Sequence, residues 1–300
     1  MVSSNPSQFG KPSILVDCND HNAENPLWHP HHQCLYWSDI PMGRLFRHFI
    51  GHKEREYIHS GEPVGGFTIQ SDGGLLLFRT NGTVEIWKEG KITAVIDEIP
   101  AARGTRFNDA IADPKGRVFS GIMATDNIKG RLYRIDTDGS YTAVVEDMLT
   151  PNGMAFSADY TTFYLTDSDR RAIYKFDYNE DSGALSNQAL HIKTPDDEGV
   201  PDGMTIDSEG FIWSARWNGS GVYRYDPDGE AVMKIELPVE KVSCVTFGGD
   251  QLTRMIISSA RGDDPPEPGE PGLGQAGDIF HLESPVKGRP EMLSKILLGR

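Results

Sequence analysis

The sequence predicts an all-β chain: a six-bladed β-propeller with four-stranded antiparallel blades around a central channel, one domain spanning residues 1–300. Three observations predict it. One unit recurs six times at nearly constant spacing, each copy carries short apolar segments parted by polar turns, and no helical period persists over several turns. A repeat of roughly 40–50 residues that carries four strands is the signature of a propeller blade.

The first strand of each copy opens at Glu24, Gly66, Asn108, Asn152, Asp202 and Cys244, at intervals of 42, 42, 44, 50 and 42 residues. Second strands follow at Leu35–Ile40, Leu75–Thr80, Val118–Met123, Phe163–Ser168, Ile212–Trp217 and Met255–Ala260. Their β-branched and aromatic content suits half-buried pleated surfaces. Third strands centre on Leu45, Val84, Leu132, Ile173, Val222 and Ile279, and Gly43, Gly82, Gly130, Gly221 or Gly277 stands shortly before five of them. An alternating fourth strand completes each copy. The last copy runs out of chain, and an open edge strand invites aggregation, so Ser13–Asp17 is expected to supply the missing outer strand and close the ring. A β-sandwich or a pair of small barrels would not need such regular spacing over six units.

Composition narrows the function. A net charge of −15 argues against nucleic acid, which demands a basic footprint, and against docking on an anionic membrane. Residues 1–17 lack the basic and apolar regions of a signal peptide, and Cys18, Cys34 and Cys244 are too few for a disulfide framework. The expectation is a cytoplasmic protein, a monomer or small homo-oligomer, with its cysteines packed in the core. His29, His31 and His32 fall at the register of hairpin turns in the other copies and read as surface residues, not as a metal cluster.

Register then places the chemistry. In a blade the first strand lines the channel and starts at one mouth, so the six opening residues form a ring of Glu, Gly, Asn, Asn, Asp and Ser/Cys. Polar groups packed around a narrow axis cost free energy unless something binds them. Glu24, Asn152 and Asp202 are oxygen donors with two negative charges, a set that suits calcium, magnesium or manganese; zinc would ordinarily take some His or Cys. Three protein ligands leave positions for water and substrate. Singly, Asn152-Gly153 and Asp202-Gly203 also read as turn pairs; Glu24, with no following glycine, favours the metal. Arg106 and Asn108 enter the same mouth, where Arg106 either anchors substrate or pairs with Asp109. Asp39 and Asp167 end second strands near the mouth as candidate supports of the ring. The long Gly262–Gly274 segment is either a disordered excursion or a flap over the channel, and its register favours the flap.

These residues resemble the senescence marker protein/regucalcin and gluconolactonase family from about Cys18 to Val286. The resemblance is carried by Glu24-Asn-Pro-Leu-Trp, Arg106-Phe-Asn-Asp, Pro151-Asn-Gly-Met, Tyr164-Leu-Thr-Asp-Ser, Pro201-Asp-Gly-Met and Ala276-Gly-Asp-Ile-Phe, in order and at blade spacing. It implies a six-bladed propeller with one divalent ion (calcium, zinc, manganese, magnesium or ferrous iron) on Glu24, Asn152 and Asp202. It also implies substrate contacts from Arg106, Asn108 and Thr125, which stands where vertebrate members have a substrate-side Glu. The expected activity is hydrolysis of sugar-acid lactones, with Asp202 as general base. Competing readings are hydrolysis of other lactones or phosphotriesters at the same site, and a calcium-binding propeller without catalysis.

Overall fold

The structure, a computed structural model, describes residues 9–262 and 275–298. Six four-stranded antiparallel sheets follow one another around a central axis. Blade 1 comprises β2 (Ala23–His29), β3 (Cys34–Asp39), β4 (Arg44–Phe49) and β5 (Glu56–Ser60) from the axis outward. Blade 2 comprises β6 (Gly66–Ile69), β7 (Leu75–Phe78), β8 (Val84–Lys88) and β9 (Lys91–Ile96). Blade 3 comprises β10 (Phe107–Ala112), β11 (Val118–Ile122), β12 (Gly130–Ile135) and β13 (Tyr141–Met148). Blade 4 comprises β14 (Pro151–Phe156), β15 (Thr162–Asp167), β16 (Ala172–Asn179) and β17 (Ala184–Lys193). Blade 5 comprises β18 (Val200–Ile206), β19 (Ile212–Trp217), β20 (Gly221–Tyr225) and β21 (Ala231–Glu236).

Blade 6 closes the ring as expected. Its inner strands are β22 (Val242–Gly248), β23 (Arg254–Ser259) and β24 (Ile279–Glu283), and its outer strand is β1 (Ser13–Val16), paired antiparallel to β24. The seam between the chain's two ends is apolar: Val16, Ile256 and Ile279 of blade 6 pack with Trp28, Trp37 and Phe46 of blade 1. The other core clusters likewise lie between neighbouring blades, as where Phe78 of blade 2 meets Phe107 of blade 3, which in turn meets Tyr133. Inner strands are therefore buried on both faces, and outer strands such as β13 mix exposed, half-buried and buried positions.

One element has no counterpart in the repeat pattern. After β24 the chain runs as a strap across the face opposite the mouth. Ser208 N donates to Lys287 O (2.8 Å), and Arg289 Nη1 donates to Phe156 O (2.8 Å). Ser294 N then donates to Ile69 O (2.8 Å), and Leu297 N to Thr137 O (2.8 Å). Buried Gln70 fixes the strap at both ends of its carboxamide, donating to Ile296 O (2.9 Å) and accepting from Ile296 N (2.9 Å). The predicted flap at Gly262–Gly274 lies almost wholly outside the described residues.

The three histidines do occupy a hairpin turn, in which His29 Nδ1 accepts from the backbone N–H of His31 (3.3 Å) and His32 (3.2 Å). His29 itself is fully buried, which corrects the expectation that all three are surface residues. Its ring fills the space under the turn by stacking on His32, and burial holds its pKa down at about 4. All three cysteines are free and buried.

Candidate active site at the channel mouth

The polar ring is built by bulges. At the mouth, pairing of the inner to the second strand shifts register between Glu24 and Leu27, Phe107 and Ala110, Asn152 and Met154, Pro201 and Met204, and Val242 and Cys244. Only β6, which opens at Gly66 and offers no side chain, keeps an unbroken ladder. A bulge leaves a residue unpaired and re-aims its side chain, so the ladder breaks where the ring needs functional groups.

The glycines after Asn152 and Asp202 have a different cause from the turn chemistry the sequence suggested. A Cβ on Gly153 would lie 2.5 Å from both Asp202 O and Met204 N, and one on Gly203 would lie 2.3 Å from Cys244 Sγ. Neighbouring inner strands approach too closely at the mouth for any side chain there. Glycine thus lets blades 4, 5 and 6 converge and brings their ring residues within reach of one another.

Glu24, Asn108, Asn152 and Asp202 are all buried at this level. Asn152 Nδ2 donates to Asp202 Oδ1 and to Ser168 Oγ (3.2 Å), and Ser168 Oγ donates to Pro201 O (2.7 Å). Glu24 Oε2 accepts from Asn25 N (2.8 Å). Asn108 crosses to the next blade, its Nδ2 donating to Pro151 O (2.9 Å). Its Oδ1 accepts from Arg106 Nη1 (2.6 Å), which also donates to Phe107 O (2.9 Å). Arg106 makes no salt bridge to Asp109, so that alternative falls. Thr125 is exposed and shares an open cleft beside the mouth with Arg106, Asn81 and Met123. Among the described residues, Asp39 and Asp167 hydrogen-bond to none of the ring side chains. They act on the rim instead: Asp39 accepts from Asn22 N (3.1 Å), and Asp167 from Leu149 N and Thr150 N (both 3.1 Å).

Electrostatics mark the ring as starved of positive charge. Burial, then the charges of Asp202 and Asp109, push the Glu24 carboxyl well above its ordinary range. Burial and Asp109 do the same to Asp202, with Asn152 and Arg106 opposing. Desolvation in turn lowers the Arg106 pKa, against the pull of Glu24 and Asp202. Among the described residues neither Glu24 nor Asp202 has an ion-pair partner within 4.0 Å. Two buried carboxylates and a carboxamide oxygen are the donor set of a hard divalent cation, which would supply the missing charge. No group of three or more His, Cys, Asp or Glu suited to a metal occurs among the described residues; the ring offers two carboxylates and an Asn.

Below the ring lies a chamber lined by Asn25, Asp109, Met154, Cys244, Thr246 and Glu291. Burial raises Asp109 to about 6 and Glu291, which comes from the strap, to about 7. Sequence reasoning missed Glu291 because it lies outside every repeat. It also missed Ser168, although that residue closes the Tyr164-Leu-Thr-Asp-Ser motif.

Residues 22–261 match the SMP-30/Gluconolactonase/LRE-like region. The chain belongs to the SMP-30/gluconolactonase/LRE-like family. Within this family's wider range, the chain is 42% identical to the pentonolactonase XacC of Haloferax volcanii, over 95% of this chain and 98% of that protein. It is 32% identical to the 6-deoxy-6-sulfogluconolactonase of Pseudomonas putida, over 84% and 85% of the two chains. The crystal structure of a calcium-binding protein, regucalcin, from Agrobacterium tumefaciens superposes with a TM-score of 0.88 at 25% identity, covering 96% of this chain and 98% of that one. Among the described residues no helix is long and apolar enough to cross a membrane.

Proposed function

We propose that this protein hydrolyses sugar-acid lactones to the free acids at a divalent metal centre held by Glu24, Asn152 and Asp202. The observation that carries the reading is the convergence of these oxygen donors at one channel mouth, with two desolvated carboxylates and no cation paired to either. The names of the two lactonase relatives support the substrate class, and the first favours lactones of five-carbon sugar acids. The calcium-binding relative favours calcium, while the same donors also accept manganese, magnesium, zinc or ferrous iron.

A divalent cation bound there supplies a Lewis acid for the lactone carbonyl and for the oxyanion that hydrolysis creates. Asp202 removes the proton of the attacking water as the water oxygen bonds to the carbonyl carbon. The ring C–O bond then breaks, and the proton passes to the departing ring oxygen to leave a hydroxy acid. Arg106, held by Asn108, presents its remaining donors to substrate hydroxyls, and Thr125 bounds the cleft beside it. The direct test is base uptake by metal-stripped protein on a panel of pentono- and hexonolactones, with each of the five ions restored in turn. Acid release that depends on one of these ions is expected. Turnover at full rate without metal would sink the proposal.

A further inference from the structure

The strongest unassigned feature is the Ser168 hydroxyl behind Asn152. Resting on the metal-centre reading above, we infer that Ser168 is a positioning residue that sets which end of the Asn152 carboxamide faces the metal. An asparagine ligates a cation only through its oxygen, so a site that uses one must prevent the amide from turning over.

The hydrogen bonds fix the orientation. Ser168 has one hydroxyl proton, and it is committed to Pro201 O at 2.7 Å across the seam to blade 5. Toward Asn152 the hydroxyl can therefore only accept, and it does so from Nδ2 at 3.2 Å. The other Nδ2 proton goes to Asp202 Oδ1. Turning the amide would set Oδ1 against a carboxylate oxygen and against a hydroxyl with no proton left to give. Both contacts would be repulsive, in a site where Asn152 and Ser168 are buried. Among the described residues Oδ1 accepts from Gly153 N alone (3.2 Å), which leaves its second lone pair for a cation. Ser168 thus adds a second acceptor to that of Asp202, held in place by its own bond to Pro201 O.

The test compares metal-stripped wild type, Ser168→Ala and Ser168→Thr by calorimetric titration with Ca²⁺ and with Mn²⁺, together with NMR of the Asn152 side-chain amide in the metal-free proteins. The threonine variant keeps the hydroxyl and guards against a Ser168→Ala protein that merely folds poorly. Expected are one ion per wild-type chain, affinity about 10- to 100-fold weaker in Ser168→Ala, and recovery to within about threefold in Ser168→Thr. Slow exchange of the Asn152 amide protons should accompany the hydroxyl in each protein. Unchanged affinity in Ser168→Ala overturns the inference, as does a Ser168→Thr variant as weak as Ser168→Ala with exchange unaltered. A wild type that binds neither ion, nor magnesium, zinc or ferrous iron, removes the metal-centre reading instead. In that case exchange alone decides: faster exchange in Ser168→Ala upholds the orienting bond, and equal exchange overturns it.

Discussion

Replacing Gly153 by alanine tests whether the convergence of blades 4 and 5 is what makes the ring. The added methyl would lie 2.5 Å from Asp202 O and Met204 N and 2.8 Å from Gly203 C, where ordinary contact begins at 3.4 Å. All three are backbone atoms, so no side chain can swing aside, and β14 and β18 must separate by roughly 0.9 Å, the shortfall from ordinary contact. Overpacking of this kind costs about 1–3 kcal/mol, and the lost glycine flexibility returns about 0.4–1 kcal/mol. The net loss of about 1–2 kcal/mol corresponds to only a few degrees of melting temperature in a chain of this size. Metal coordination tolerates about ±0.2 Å, so the same displacement should weaken ion binding and cut turnover by about 100-fold. Calorimetric metal titration, lactone hydrolysis and thermal melting on one preparation separate the two effects. Wild-type affinity for the ion in a protein whose melting temperature has fallen would refute the reasoning, since the strands would then have parted without disturbing the ring.

Asp202→Asn should abolish lactone hydrolysis and the melting-temperature rise on adding metal, yet stabilise the metal-free protein near pH 8 by about 1–3 kcal/mol because the cost of burying this carboxyl is gone; a destabilised variant would count against the burial argument. Raised carboxyl pKa values mean that Asp109 and Glu291 contribute stability that is complete below about pH 4 and is lost as pH climbs through about 6 and 7. Glu291→Gln should accordingly remove on the order of 1–2 kcal/mol of the stability that metal-free wild type loses between about pH 5.5 and pH 8, and urea melts at the two pH values give the difference directly. Truncation after Ser284 strips Gln70 of both its partners and exposes the site filled by buried Ile296, for an expected loss of about 3–6 kcal/mol; an unchanged melting temperature would show that the strap adds nothing to the fold.

Much of this architecture was legible because a propeller writes its geometry as repetition. Register alone brought Glu24, Asn152 and Asp202 to one mouth, and the orphaned third strand at Ile279 pointed to Ser13–Asp17 as its partner. What stayed hidden was whatever the repeat does not encode. Gly153 and Gly203 look like turn residues in the sequence, and only the distance to the next inner strand reveals them as contacts between blades. His29 shares a turn with two exposed neighbours, and its burial depends on ring stacking that no spacing announces. Glu291 reaches the channel by crossing the whole lower face, a long-range placement with no local signal. Ser168 sat in view but looked like the end of a strand, because its meaning lies in a proton shared with Pro201, thirty-three residues away.

The strap also has a kinetic consequence. With Arg289 to Met292 lining the chamber on the strap's side, lactone and acid are expected to share the opening at the mouth. Their visits are then mutually exclusive, and each aldonate has to depart before the next lactone arrives. Accumulated acid would compete with fresh lactone for the empty enzyme, raising the apparent KM without lowering the limiting rate. Such an enzyme slows as its product builds up, and the rate at which the acid is drawn off by the next reaction becomes part of its own turnover.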